Sequence, residues 1–126
     1  MRAVDTNILV RLATRDDARQ VAAAEAFVAS GAWVSHVVLV EFAWVLASNY
    51  ERSGAEVVSA IGMFLEHDAL TIQDADVVAA ALENCRKRAS VAFSDSLALE
   101  LARKAGHLPL GTFDRALAKL PGTEKV

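Results

Sequence analysis

Apolar residues recur along this chain in two rhythms. Four brief runs, "RAVD" (residues 2–5), "AWVS" (32–35), "ALTIQ" (69–73) and "LPLGT" (108–112), read as short strands. Between them, longer stretches keep a helical period. These predict helices over residues 6–14, 16–30, 37–50, 54–67, 74–88 and 94–106, with a short last one over 114–120. In the third helix Val38, Phe42, Val45 and Leu46 carry the period. Asp16 and Asp17 suit the positive start of the second helix, and Gly31 closes it. Asp74 is placed to cap the fifth, Gly106 stops the sixth, and Pro121 ends the last. Strands alternating with helices imply the α/β class, expected here as a three-layer α/β/α sandwich around a central parallel sheet. No repeat, low-complexity tract or Pro/Gly-rich linker interrupts the 126 residues, so residues 1–126 are expected to form a single domain. In open parallel sheets, ligands gather beyond the carboxyl ends of the strands. The residues that leave a strand and open a helix are therefore the ones to inspect.

One residue breaks the pattern. The stretch "VVLVEFAWVL" (residues 37–46) carries a single charge, Glu41, and no other Asp, Glu, Lys or Arg occurs from Trp33 to Tyr50. Such a segment is expected to be buried, and an unpaired buried carboxylate costs several kcal/mol or more. A core ion pair with a distant arginine, an outward turn on a kinked helix, or a bound cation could each offset that cost. Three aspartates stand at strand-to-helix junctions: Asp5 in "AVDTN", Asp95 in "AFSDSLALELA" and Asp114 in "LGTFDRALAKL". Each alone could be a helix cap, and Thr6 or Asn7 could cap as well as Asp5. If the strand ends share one edge, the three point with Glu41 into a common cleft. Four carboxylates there would raise one another's pKa unless a counter-charge were present. Mg²⁺, a hard ion that takes oxygen ligands, fits that need, and Mn²⁺ suits the same donors. Such a site can activate water against a phosphodiester.

Composition narrows the choice. A hydrophobic share of 54% supplies a core, and the net charge of −3 argues against a simple electrostatic nucleic-acid binder, though not against an enzyme whose acids hold metal. The lone Cys85 excludes an internal disulfide and fits a reducing compartment. His36, His67 and His107 lack zinc-motif spacing. The start "MRAVDTNILV" makes a poor signal peptide, and no apolar run is long enough to span a membrane, so a cytoplasmic location is expected. Arg86, Lys87 and Arg88, with Arg11, Arg15, Arg103, Lys104 and Arg115, are candidate contacts for a nucleic-acid backbone. Arg11 and Arg115 lead because they lie near Asp5 and Asp114 in sequence.

"AVDTNILVRL", an apolar helix with one Glu, "FSDSLALELARKAG" and "GTFDRALAKLPG", in this order, resemble the PIN-domain ribonucleases, and within them the VapC-like toxins of type II toxin–antitoxin systems. The likeness covers residues 2–122. It implies Mg²⁺- or Mn²⁺-dependent RNA cleavage leaving a 3′-hydroxyl and a 5′-phosphate. It implies Asp5 and Asp95 as direct metal ligands, Glu41 and Asp114 completing an acidic quartet, and Thr6, Asn7 and Thr112 as polar supports. It also implies a homodimer, silenced by a small VapB-like antitoxin. Many relatives carry an additional Asp three residues before the acid that matches Asp95. Here Ala92 stands in that place, which bears on whether a second metal is held. Two other readings compete. An aspartate-nucleophile phosphatase would use Asp5, but needs a second Asp where Asn7 stands. A catalytically silent PIN-like module could use its acidic cleft to dock a basic partner.

Overall fold

β2 (Ala32–Val34) pairs on both edges, and both pairings are parallel. β1 (Arg2–Ala3) lies on one side, with Arg2 opposite Ala32, and β3 (Leu70–Ile72) on the other, with Ala32 opposite Leu70. Parallel neighbours need a crossover, and helices supply it. The computed structural model describes residues 1–126 and divides into two units, Met1–Ala75 and Asp76–Val126.

The first unit holds the three-stranded sheet with α1 (Thr6–Thr14), α2 (Ala18–Val28), α3 (His36–Asn49) and α4 (Gly54–Glu66). Side-chain caps start all four. Asp5, Asp17, Ser35 and Ser53 accept from the backbone N–H of Ile8, Gln20, Val38 and Glu56, and Glu56 answers Ser53 to close a capping box. Each cap satisfies an N–H that the first turn leaves unpaired. Leu39, Phe42 and Ile61 are fully buried, and Phe42 meets Phe64 edge-on with ring centroids 4.9 Å apart. A polar knot ties the helix ends. Arg11 donates to Asp16 at 3.0 Å, to the Tyr50 hydroxyl at 3.0 Å and to Gln20, while Thr14 and Tyr50 donate to Asp16. Those two hydroxyls, with Thr14 contributing most, hold the Asp16 carboxyl below its ordinary range.

The second unit contains α5 (Ala75–Lys87, its first residue at the boundary), α6 (Phe93–Ala105), and a two-stranded parallel sheet of β4 (Leu110–Thr112) and β5 (Thr123–Lys125). Ser96, with no exposed surface, donates to the Ala81 carbonyl at 2.8 Å and accepts from Asn84, clamping α6 to α5. Asn84 also donates to Glu100, Glu100 accepts from Arg103, and Arg103 donates to the Pro121 carbonyl at 2.8 Å. Gly106 ends α6 in the left-handed region at φ 82°, where glycine carries no Cβ penalty.

The α/β class and the parallel pairing agree with the sequence pattern, and six helices fall where the period placed them. Three details differ. Residues 114–120 form only one 3-10 turn, Leu117–Lys119, because too few residues lie before Pro121 to repay helix nucleation. "LPLGT" pairs with β5, a polar "TEK" strand that carries no apolar alternation and so escaped the pattern. Asp74 precedes α5 at φ 42°, not in the extended backbone of an N-cap.

The two aromatic residues of α3 separate core from surface. Phe42→Ala should destabilise the protein by about 3–5 kcal/mol in a denaturation titration. Trp44→Ala, at 65% exposure, should change it by no more than about 0.5 kcal/mol. A larger Trp44 effect that grows with protein concentration would mark that face as one a second chain covers.

Candidate active site

At the first sheet, the strand ends hand the chain to helix starts. β1 and the following Val4, whose N–H bonds the Trp33 carbonyl at 3.1 Å, lead into Asp5 and α1. β2 leads through Ser35 into α3. β3 leads into Gln73, whose side-chain oxygen accepts from the His36 backbone N–H at 3.0 Å and whose carbonyl lies 2.6 Å from His36 Nε2. His36, nearly buried, is thereby committed to structure. Asp5 sits at this carboxyl edge with Oδ1 turned to the Ile8 N–H and the residue exposed. Thr6 is buried in the first turn of α1 and Asn7 is exposed.

Glu41 lies on α3 in the same unit, and its burial was misjudged from the sequence. His36, Leu39, Phe42 and Leu46 face the core, while Val37, Glu41 and Trp44 share the outer face at helical spacing. Glu41 is exposed, so no desolvation penalty arises that a metal would have to relieve. Val37 and Trp44, both solvent-facing, supplied the apolar context that made the segment look like core.

In the second unit, Asp114 bears on Asp95. Asp95 is half-buried in the first turn of α6, whose N-cap position, Ala92, offers no side-chain bond. Burial first, and then the negative charge of Asp114, push the Asp95 carboxyl above its usual range. Asp114 follows β4. Its N–H donates to Thr112 Oγ1 at 3.0 Å, and its Oδ2 accepts from the Leu117 N–H at 2.8 Å. Thr112 thus orients the turn that carries Asp114. Asp5 and Asp114 each accept a backbone N–H at the start of the turn that follows, and in each case one carboxylate oxygen takes that bond.

No three His, Cys, Asp or Glu side chains stand together as a ready metal cage. The Asp95–Asp114 pair nevertheless fits a hard divalent cation. Mg²⁺ uses one or two carboxylates and keeps its waters, and a cation is the natural relief for the charge that Asp114 sets against Asp95.

Of the candidate basic contacts, several are engaged. Arg11 belongs to the Asp16–Tyr50 knot, Arg15 pairs with Glu25, Arg86 with Glu83, Arg103 with Glu100 and Lys104 with Asp76. Arg115 is exposed and enters no ion pair. Sequence reasoning gave no role to Phe113, which stands 78% exposed beside Asp114. Its only signal was a large apolar residue between two polar ones at a strand end.

An α/β chain with parallel strands and acids where strands pass into helices is the class defined so far. The PIN domain profile matches residues 2–122, and the chain belongs to the PIN-domain family, whose members are in general nucleases that act on RNA. No curated protein and no solved structure gives a significant match. No helix is long and apolar enough to cross a membrane.

The raised Asp95 carboxyl has a direct consequence. A carboxyl that holds its proton more tightly when folded favours the folded state below the ordinary Asp range. That contribution is lost as pH rises through the folded value. In metal-free protein, Asp95→Asn should therefore raise the melting temperature at pH 7 by on the order of 2 °C, with the gain vanishing near pH 3. A loss of stability at pH 7 would show instead that the Asp95 charge is favourably held.

Proposed function

We propose that this protein is a metal-dependent endoribonuclease of the VapC-like kind, the toxin of a type II toxin–antitoxin pair. The observation that carries the reading is the PIN-domain match over residues 2–122; Asp5, Glu41, Asp95 and Asp114 are proposed as its acidic set because the stretches that hold them resemble the family's motifs. Asp5 and Asp95 are assigned as Mg²⁺ ligands, with Mn²⁺ as a substitute. The chemistry such an ion supplies is activation of a water and neutralisation of charge on a phosphoryl oxygen. Glu41 and Asp114 complete the acidic set, and the protein's own groups do the rest. Thr112 fixes the backbone of Asp114, and Thr6 and Asn7 flank Asp5 as its polar supports. A carboxylate that does not bind the ion accepts the proton from the attacking water. Arg115, unpaired, is the better placed of the two arginines to hold an RNA phosphate; Arg11 would have to leave Asp16 and Tyr50.

The partners proposed are an RNA substrate, a second copy of the chain and a small VapB-like antitoxin. Val37 and Trp44 on α3 and Met63 on α4 give the first unit exposed apolar surface of the kind partner chains cover. A cytoplasmic site of action goes with this reading.

The decisive experiment incubates the protein with single-stranded RNA in Mg²⁺ and in EDTA. Cleavage should require Mg²⁺ and fall at least about 100-fold in Asp5→Asn and in Asp95→Asn. Mg²⁺ should also raise the melting temperature of the parent and not of Asp95→Asn. Metal binding without cleavage would favour the silent docking module. Cleavage that persists unchanged in the Asp5→Asn, Asp95→Asn double variant would overturn the residue assignments.

A further inference from the structure

Phe113 is the least expected residue on the surface of the second unit. A phenylalanine left 78% exposed forgoes the roughly 1.5–3 kcal/mol that its burial would contribute. The chain has not left it there through looseness. Thr112 lies opposite Lys125 in the β4–β5 pairing, and the Thr112 carbonyl accepts from the Val126 N–H at 2.9 Å. On the other side, the Asp114 N–H is held by Thr112 Oγ1, the Asp114 carboxylate caps Leu117, and the Asp114 carbonyl accepts from the Ala118 N–H at 3.0 Å. The backbone is fixed immediately before and after Phe113, and the ring is presented outward from a stiff turn.

Its neighbours carry charge. Asp114, next in sequence and held by Thr112 and Leu117, belongs to the acidic set proposed above, so the ring borders one of its carboxylates. Arg115 follows, exposed and unpaired, and Lys125, exposed and unpaired, faces Thr112 across the strand pair. A flat apolar face with one free cation two residues on and another across the strand pair matches the chemistry of single-stranded nucleic acid, whose bases offer π-faces and whose phosphates offer negative charge. A protein partner's apolar segment would bury the ring equally well, but it would have no use for two flanking cations.

We propose that Phe113 is a stacking platform for an unpaired RNA base adjoining the phosphodiester that is cut, with Arg115 and Lys125 holding the backbone on either side. The proposal deepens the nuclease reading and rests on it for the identity of the strand. It assigns a base-binding position, tolerant of base identity, immediately beside Asp114.

The test is a double-mutant cycle between the ring and the base, in the Asp95→Asn background with Mg²⁺ so that the strand survives. The probes are a fluorescein-labelled ten-nucleotide oligoadenylate RNA and an abasic sugar–phosphate strand of the same length, followed by fluorescence anisotropy. Phe113→Ala should weaken oligoadenylate binding by about 30-fold, the middle of what one base–aromatic stack contributes. The abasic strand should bind both proteins alike. Phe113→Trp should restore binding, and Phe113→Leu, apolar but not flat, should not. Arg115→Ala should weaken both strands and flatten the salt dependence. Equal affinity of Phe113→Ala and its parent for oligoadenylate would overturn the proposal. So would an equal loss for both strands, an undetectable interaction with either, or full rescue by leucine, which points to a protein-docking knob. The two readings fail separately. A protein that cuts no RNA yet shows the ring-dependent difference loses the nuclease assignment and keeps the base platform. One that cuts RNA without that difference does the reverse.

Discussion

The first turn of a helix leaves backbone N–H groups with no partner, and this requirement shapes both units. A chain leaving a parallel strand must turn and start a helix at once, and an acceptor side chain at that point stabilises the turn by about 0.5–2 kcal/mol. Asp5, Asp17, Ser35 and Ser53 meet the requirement in the first unit, and Asp114 meets it at the short turn of the second. Of these, Asp5 and Asp114 are the carboxylates that follow a strand, β1 and β4. The carboxyl end of a strand is also where an open parallel sheet receives its ligands.

Cap and ligand are therefore not competing descriptions of Asp5 and Asp114. A carboxylate has two oxygens with about four lone-pair directions, and the cap bond takes one of them. The bond also fixes the rotamer, which a free surface aspartate would not have. Asp95 differs in kind. It stands inside the first turn of α6 without a cap bond, half-buried and under the charge of Asp114. Its surroundings raise the cost of its charge, and a bound cation would lower that cost. Of the acids, Asp95 is the one whose surroundings are least explained by local backbone needs.

Much of this was legible from the residues, because the signals were local. The period of residues 6–14 and 54–67 placed α1 and α4 to within a residue; the acids opening 16–30 marked the start of α2, but as first-turn charges suiting the dipole, whereas Asp17 stands just outside the helix as its cap. What was not legible depended on which way a face turned. Glu41 sits in a helix apolar on nearly all sides, so the pattern could not say that Val37 and Trp44 would face solvent and take Glu41 with them. Nor could spacing reveal that Arg11 is absorbed by Tyr50, thirty-nine residues away, or that the buried Ser96 starts a chain of hydrogen bonds running from Ala81 out to Pro121. β5 was invisible because a polar strand paired on one edge carries no hydrophobic rhythm.

Net charge misleads in a similar way, since it counts cations and acids without asking which are already paired. The chain has 13 Lys and Arg against 16 Asp and Glu. On the helices, most of the basic residues weighed as nucleic-acid contacts are occupied by glutamates or aspartates of the same unit. The cations around β4 and β5 are not: Arg115, Lys119 and Lys125 are all exposed and enter no ion pair. A polyanion meets charges at the scale of the Debye length, about 10 Å at 0.1 M salt, and not the sum over the chain. An acidic protein can therefore attract a phosphodiester strand locally, provided its free cations border its acids. The turn from Thr112 to Arg115 places a free cation one residue from a carboxylate and two from an exposed ring, which is the local arrangement that a strand of RNA can use.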